Sequence, residues 1–138
     1  MRGGPLVRAL LDTHVLLWWL EGGKRLSRAQ KRVIDRARAD APLWVSDITL
    51  WEIAVVYELG RIKLRLPLRD WLEAAVAPPL VQRVGISPPI AAELVALPPT
   101  FHRDPADRIL VATARVLGAT LLTRDERIVD AELVATLC

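Results

Sequence analysis

Short, almost continuous apolar runs alternate with longer amphipathic segments along this chain. Three of these runs, residues 6–11, 43–45 and 119–122, are apolar at nearly every position. Strands of a parallel sheet that is covered on both faces have this composition, whereas strands with one solvent-exposed face alternate apolar and polar residues. Helical segments between such strands imply right-handed crossovers. The pattern predicts an α/β fold, a three-layer α/β/α sandwich with a central parallel sheet of four or five strands.

Helix caps, prolines and glycines place the element boundaries. Ser27, Ser46 and Ser87 each precede a helical pattern as a candidate N-cap. The best-marked helix starts with Asp104 as N-cap and ends before Gly118. Strands are expected at residues 6–11, 43–45, 80–84, 119–123 and 133–137, and helices at 15–20, 28–39, 47–59, 68–76, 88–97 and 104–117.

The size and composition of the chain favour one domain. Its 138 residues fall within the ~100–150 residues of a common domain, and residues 1–5 read as a short basic leader. The content of 52% hydrophobic residues supports a core and excludes disorder. The single cysteine, Cys138, cannot form an internal disulfide, and no apolar run approaches the ~18 residues of a membrane span. We therefore expect a soluble cytoplasmic protein.

Two aspartates follow predicted strands. Asp12 ends the first strand, and Asp125 comes two residues after the fourth. Ligands of an open parallel sheet bind beyond the carboxyl ends of its strands, so both side chains should reach the same edge. Each aspartate taken alone is equally well explained as a helix cap or a turn residue.

Glu52 lies within a helical segment that is apolar on almost every side. Its predicted stripe includes Ile48, Val55, Val56 and Leu59, at three- and four-residue spacings. A carboxylate on an inward face costs several kcal/mol unless it is paired or bound to a metal. A buried salt bridge with an arginine stays open, but a metal ligand fits the acidic edge better.

Asp104 and Asp107 open the best-marked helix. Asp104 is fully explained as a cap, although a ligand role stays possible, while Asp107 shares a core-facing stripe with Val111 and Ala114. Acids converging on one edge repel one another, and a hard dication such as Mg²⁺ relieves this repulsion. The sequence thus favours metal-assisted hydrolysis of a phosphodiester at Asp12, Glu52, Asp107 and Asp125. Thr123 and Ser46 are candidates to hydrogen-bond these carboxylates.

Other polar features are less specific. His14 and His102 have no metal-ligand or nucleophile spacing, and we interpret them as structural or adjacent to the substrate. Basic residues crowd stretches 24–38 and 61–69, and the net charge is +3. Such runs are usually solvated faces, and phosphate contact stays open for both. Trp18 and Trp19 are adjacent and can hardly face one core together, so one of them is a candidate for a protein interface.

Four segments together resemble the motifs of the PIN-domain family. They are LLDTHVLLWWL (10–20), VSDITLWEIA (45–54), HRDPADRIL (102–110) and LLTRD (121–125). The resemblance is greatest to the PilT N-terminus-like VapC toxins of type II toxin–antitoxin systems, and RIKL (61–64) and LRDWL (68–72) are similar to that subgroup too. Each motif alone is weak, but four in the same order are specific.

The resemblance implies a Mg²⁺- or Mn²⁺-dependent endoribonuclease, commonly a homodimer that a cognate antitoxin holds inactive. The four acids of the family correspond to Asp12, Glu52, Asp107 and Asp125. Asp104 matches a position that is acidic in the subgroup. Ala106, where the subgroup often has Phe, and the basic leader are departures that remove no acid.

Three alternatives and one partner surface follow. Two alternatives are PIN-fold nucleases without an antitoxin, one that processes RNA and one that cleaves DNA. The third is a non-catalytic module that binds RNA or protein. A module that has lost hydrolysis is expected to lack one of the acids, and none is missing here.

An apolar surface is expected at Trp18, Trp19 and Leu20, which precede the basic helix. We expect a helix of the antitoxin to cover this surface, with a basic side chain of the antitoxin reaching Asp12 and Asp107.

Overall fold

A five-stranded parallel sheet forms the centre of the molecule. The computed structural model describes residues 8–138, so the expected leader and the first two residues of the first predicted strand lie outside the described residues. The strands are β1 (Ala9–Leu11), β2 (Leu43–Ser46), β3 (Val81–Val84), β4 (Thr120–Leu122) and β5 (Thr136–Leu137). Their spatial order is β3-β2-β1-β4-β5, and each pairing is parallel. The predicted parallel sheet is confirmed.

Seven helices connect and cover the described strands. They are α1 (Thr13–Leu20), α2 (Arg28–Asp35), α3 (Asp47–Glu58), α4 (Leu68–Ala75), α5 (Pro88–Ala96), α6 (Pro105–Leu117) and α7 (Glu126–Ala131). None of these helices, within residues 8–138, has the length and apolar character needed to cross a membrane.

Successive side chains of the central strand enter two different cores. Ala9 and Leu11 pack in one cluster with Val15 of α1, Ile34 of α2 and Ile53 of α3. Leu10, between them, packs in the other cluster with residues of α6 and α7, listed here as Leu110, Val111, Ala114 and Ile128. Alternate residues of a strand point to opposite faces of its sheet. The two clusters therefore make the fold a three-layer α/β/α sandwich, as the sequence predicts.

Two helix predictions differ from the structure. The helix after Ser27 ends at Asp35 rather than near residue 39, because reciprocal backbone hydrogen bonds between Arg38 and Ala41 close a tight turn that leads back to β2. The short helix α7 is missing from the prediction. Its cap is Asp125, whose side chain accepts a hydrogen bond from the backbone N–H of Arg127.

The strand order creates a switch point beside β1. From β1 the chain proceeds outward to β2 and β3, and then returns to the opposite side of β1 to form β4 and β5. Connections on the two sides of a switch point diverge and leave a crevice at the carboxyl ends of the strands. Asp12 and Asp125 follow the two strands that flank this crevice.

Candidate active site

An open cavity of about 480 Å³ lies at the switch point. Its walls come from the start of α1, the middle of α3, the start of α6 and the loop between β4 and α7. The predicted acids that line it are Asp12, Glu52, Asp104, Asp107 and Asp125, and the other lining residues include Thr13, His14, Trp18, Arg25, Arg124 and Arg127. Sequence segments far apart in the chain thus bring all five acids to one cavity.

Asp12 is the most deeply buried of these acids, with 7% of its surface exposed. It caps α1, since its Oδ1 accepts a hydrogen bond of 2.8 Å from the backbone N–H of Val15. The hydroxyl of Thr123 hydrogen-bonds the same carboxyl group. Burial nevertheless raises the pKa of Asp12, because desolvation outweighs these hydrogen bonds. A charge at this position therefore favours a cation nearby.

Glu52 is half-buried at the margin of the inward face of α3. The fully buried residues of this helix are Thr49 and Ile53, whereas Leu59, which the predicted stripe included, is 58% exposed. Thr13 donates its hydroxyl hydrogen bond to Oε1 of Glu52. Desolvation raises the pKa of Glu52, and the nearby Asp107 adds to the shift. Glu52 therefore faces the cavity, but its helix is less deeply buried than the sequence suggests.

Asp107 lies in the first turn of α6, one turn before the fully buried Val111. Nε2 of His102 lies 2.8 Å from its Oδ2, so the imidazole N–H can donate to the carboxylate. Desolvation is the main cause that raises the pKa of Asp107, and Asp104 and Asp125 add to it through their charges. Asp107 thus lies half-buried one turn before Val111, and it faces the cavity.

Asp125 differs from Asp12, Glu52 and Asp107 because its pKa is lowered, chiefly through its contacts with Arg127. Nη2 of Arg127 lies 3.1 Å from Oδ2 of Asp125 and 3.5 Å from Oδ2 of Asp107. Partial burial alone would raise the pKa of Asp125, but its hydrogen bonds and ion pair with Arg127 outweigh this, and the pKa is lowered. Asp125 is thus already charged and paired at the edge of the cavity.

The remaining predicted residues have different positions. Thr123 is buried between two acids, since it hydrogen-bonds Asp12 and accepts a bond of 3.0 Å from the backbone N–H of Asp125. Asp104 caps α6 by accepting the N–H of Asp107. Ser46 caps α3, since its hydroxyl accepts a hydrogen bond from the N–H of Ile48 and not from a group at the acids. The structure therefore brings Thr123, but not Ser46, next to the acids.

The chemistry of these side chains fits a hard divalent cation. Asp12, Glu52 and Asp107 offer carboxylate oxygens, the ligands that Mg²⁺ and Mn²⁺ prefer. Each of the three has a pKa raised by burial, so a bound cation would relieve an existing cost. Within residues 8–138, no three His, Cys, Asp or Glu side chains form a ready-made ligand cluster. Because Mg²⁺ keeps several of its waters when it binds protein carboxylates, some of these acids would contact the ion through water.

Thr13 and Arg127 are not predicted as site residues, and His102 is interpreted only as structural or adjacent to the substrate. Thr13 contacts Glu52, His102 contacts Asp107, and Arg127 pairs with Asp125 and Asp107. Thr13 follows Asp12 in the chain, so its proximity could have been expected from the first turn of a helix. The contact between His102 and Asp107 depends on the loop before α6, and no sequence period indicates it.

Comparisons with known proteins agree with this architecture. A family model described as the PIN domain matches residues 9–133. Ribonuclease VapC22 from Mycobacterium tuberculosis (strain ATCC 25618 / H37Rv) is 41% identical over 123 residues, which cover 89% of this chain and 91% of that protein.

Solved structures show the same fold at low sequence identity. A chain of a toxin-antitoxin complex from Klebsiella pneumoniae has a TM-score of 0.65 and 23% identity, and the match covers 94% of this chain and 96% of that chain. A chain of VapBC2 from Rickettsia felis, bound to a DNA fragment from its promoter, has a TM-score of 0.68, 13% identity and the same coverage. With the family model and the VapC22 relative, the chain belongs to the PIN domain family.

Proposed function

We propose that this protein is a Mg²⁺- or Mn²⁺-dependent endoribonuclease whose ion is held by Asp12, Glu52 and Asp107, with Asp125 as a fourth acid. The observation that carries the proposal is one cavity lined by three acids whose pKa values are all raised by burial. Acids with perturbed pKa values in a cleft are typical of functional sites. The 41% identity to a protein named a ribonuclease supports RNA as the substrate.

The residues around the acids orient them for this chemistry. A divalent ion at such a site lowers the pKa of an attacking water and offsets charge on the phosphodiester. Thr13 holds Glu52, Thr123 holds Asp12, and His102 holds Asp107. Neighbours of this kind fix the direction of ligand oxygens and keep them deprotonated when a cation is present.

The substrate class is tested with matched single-stranded RNA and DNA oligonucleotides in Mg²⁺. We expect internal cleavage of RNA by the unaltered protein, no cleavage by Asp107→Asn, and full cleavage by Asp130→Asn, which removes an exposed acid outside the cavity. Cleavage of DNA in preference to RNA would assign the protein to DNA processing. Absence of any cleavage would support a binding module.

We also propose that an antitoxin covers a groove beside α1. This groove of about 420 Å³ is lined by Leu17 and Leu20 of α1, by the loop before α4 and by Trp71 of α4. Leu20 is 40% exposed and Leu66, in that loop, 48% exposed. The sequence predicts the antitoxin surface at Trp18, Trp19 and Leu20 before α2, and we propose instead the groove in which α4 forms the wall opposite Leu20. The toxin-antitoxin complexes among the structural relatives support such a partner.

Antitoxin binding is tested with the small protein encoded beside this gene. Leu20→Glu and Leu66→Glu should each weaken its affinity by tenfold or more, since each places a charge in an apolar interface. The matched control is Val95→Glu on α5, a position that is 88% exposed and outside the groove. Equal affinity of all three variants would contradict this docking surface and leave the nuclease proposal intact.

We also propose that the protein is a homodimer, as the family resemblance implies, and that it is located in the cytoplasm. Light scattering of the purified protein distinguishes a dimer from a monomer.

A further inference from the structure

Two arginines converge on one tryptophan at the rim of the acidic cavity. Cζ of Arg25 lies 5.0 Å from the centroid of the Trp18 ring, and Cζ of Arg124 lies 5.9 Å from the same ring. Guanidinium groups at such distances are attracted by the face of the indole. Nη1 of Arg124 also donates a hydrogen bond of 3.3 Å to the carbonyl oxygen of Arg25. The loop after α1 and the loop after β4 thus meet at Trp18.

These two arginines lack the carboxylate partner that several other arginines of residues 8–138 have. Arg83, Arg115 and Arg127 each form an ion pair with an aspartate or a glutamate. Among residues 8–138, no ion pair joins a carboxylate to Arg25 or Arg124, and both residues are exposed. Two like charges held together repel each other. An anion between or beside them relieves this repulsion.

The arginine pair borders the same cavity as the acids. Arg25, Arg124 and Trp18 line it together with Asp12 and Asp125. Arg124 directly precedes Asp125, and Trp18 is on the same helix that Asp12 caps. The cavity therefore presents both the carboxylates and the guanidinium groups of Arg25 and Arg124. A polyanion that enters it meets groups that can bind a cation and groups that can bind a phosphate.

We propose that Arg25 and Arg124, oriented by Trp18, bind a backbone phosphate of the RNA strand next to the phosphate that is cleaved. This inference rests on the proposed ribonuclease function and names the substrate contacts of the same site. Planar guanidinium groups bind phosphate oxygens through two parallel hydrogen bonds. Trp18 is a positioning residue, because its ring limits the directions that both guanidinium groups can take. A phosphate contact fixes the register of the strand without reading its sequence.

The experiment measures the binding of single-stranded RNA by fluorescence anisotropy at several salt concentrations. The protein carries Asp12→Asn, which prevents cleavage while keeping a good N-cap. Adding Arg25→Gln and Arg124→Gln should weaken binding about tenfold or more. It should also reduce the slope of log affinity against log salt by about 0.7, the value for one lost phosphate contact on a single strand.

Two matched variants make the result specific. Lys31→Gln with Arg32→Gln removes the same charge from the exposed side of α2, away from the cavity, and should leave the slope unchanged. Arg25→Lys with Arg124→Lys retains the charge and should retain the slope. Equal losses for the cavity and α2 variants, an unchanged slope in the arginine-to-glutamine variant, or no RNA binding by the Asp12→Asn protein would each overturn the inference.

The proposed function is scored separately in the same buffer, with protein that keeps Asp12. If this protein cleaves no RNA but the arginine-dependent slope is found, then the phosphate site stands and the nuclease assignment fails. If it cleaves RNA and the slope does not depend on the arginines, then only the phosphate site fails.

Discussion

Burial places three acids, Asp12, Glu52 and Asp107, where their charged forms are disfavoured. The pKa of each is raised above its ordinary value, chiefly by desolvation. A raised pKa means that the protonated acid stabilises the folded state. This stabilisation is fully present below the pKa of the unfolded chain, about 4 for a carboxyl group, and is lost as the pH rises through the higher folded pKa. The metal-free protein is therefore less stable at neutral pH than it would be with neutral groups there.

Asp12→Asn should weaken this pH dependence. The amide keeps the cap of α1 and carries no charge, so it removes the desolvation cost at neutral pH. In urea unfolding with EDTA, we expect the variant to be more stable than the unaltered protein at neutral pH, and this difference to shrink as the pH falls toward about 4. Asp130→Asn, at an exposed position of α7, should follow the unaltered protein. If the free energy of unfolding depends on pH in the same way for Asp12→Asn and the unaltered protein, then burial does not disfavour the charged form of Asp12.

Thr123→Val tests the contact that orients Asp12. Valine has nearly the same shape as threonine but lacks the hydroxyl that joins Asp12 and the backbone of Asp125. Loss of such a neighbour should lower Mn²⁺ affinity by about 10–100-fold in calorimetric titrations. Thr120→Val, at the start of β4 and three residues before Thr123, is the control, because the same change there leaves the hydroxyl beside Asp12 in place. Equal affinities for both variants would refute an orienting role of Thr123.

The sequence predicts the positions of the acids better than it predicts the residues that contact them. Asp12 and Asp125 follow apolar strands, and Asp107 has a core-facing period, so their convergence at one edge can be reasoned from local patterns. His102 and Arg127 contact these acids only through loop and helix positions that depend on the complete fold. The paired state of Asp125 therefore could not be anticipated.

Helix α6 shows how one element combines a structural cap with a candidate metal ligand. Asp104 caps the helix by accepting the N–H of Asp107, and Gly118 ends it in the left-handed conformation with φ 64°. The same helix presents Asp107 to the cavity and buries Val111 and Ala114 against the sheet. Caps at both ends thus fix the position of Asp107 relative to β1.

Asp104→Ala should lower the free energy of unfolding by about 1 kcal/mol, as the loss of an N-cap typically does. Asp104→Ser keeps a capping oxygen and should restore most of that stability. Both variants should retain RNA cleavage under conditions where they are folded. If both variants lose cleavage while only Asp104→Ala loses stability, then Asp104 acts as a ligand and not only as a cap.

The predicted ends of helices and strands are most accurate where proline, glycine or a capping residue marks them. The end of α6 is predicted correctly because proline and glycine mark its limits, and the strands agree to within a few residues. Helix α2 has no glycine to end it, and the turn between Arg38 and Ala41 shortens it. Helix α7 has only six residues, too few to show a helical period, although Asp125 and Glu126 are typical of a helix start.

The candidate site exists only in the folded molecule. Its acids come from α1, α3, α6 and the loop after β4, and the two cores on either side of the sheet hold these elements in place. The parallel orientation of the strands was predictable, because helical segments separate the buried apolar runs. The spacing of the carboxylates was not, since it depends on side-chain packing across the switch point.

The dependence of RNA cleavage on a divalent metal is measured as the rate of cleavage in EDTA and after re-addition of metal. We expect no cleavage in EDTA, recovery with Mg²⁺ or Mn²⁺, and no recovery for Asp12→Asn, which keeps the cap of α1 but loses a charged group. Asp130→Asn should behave as the unaltered protein does. Undiminished cleavage in EDTA, or cleavage by Asp12→Asn at the unaltered rate, would contradict a metal site at these acids.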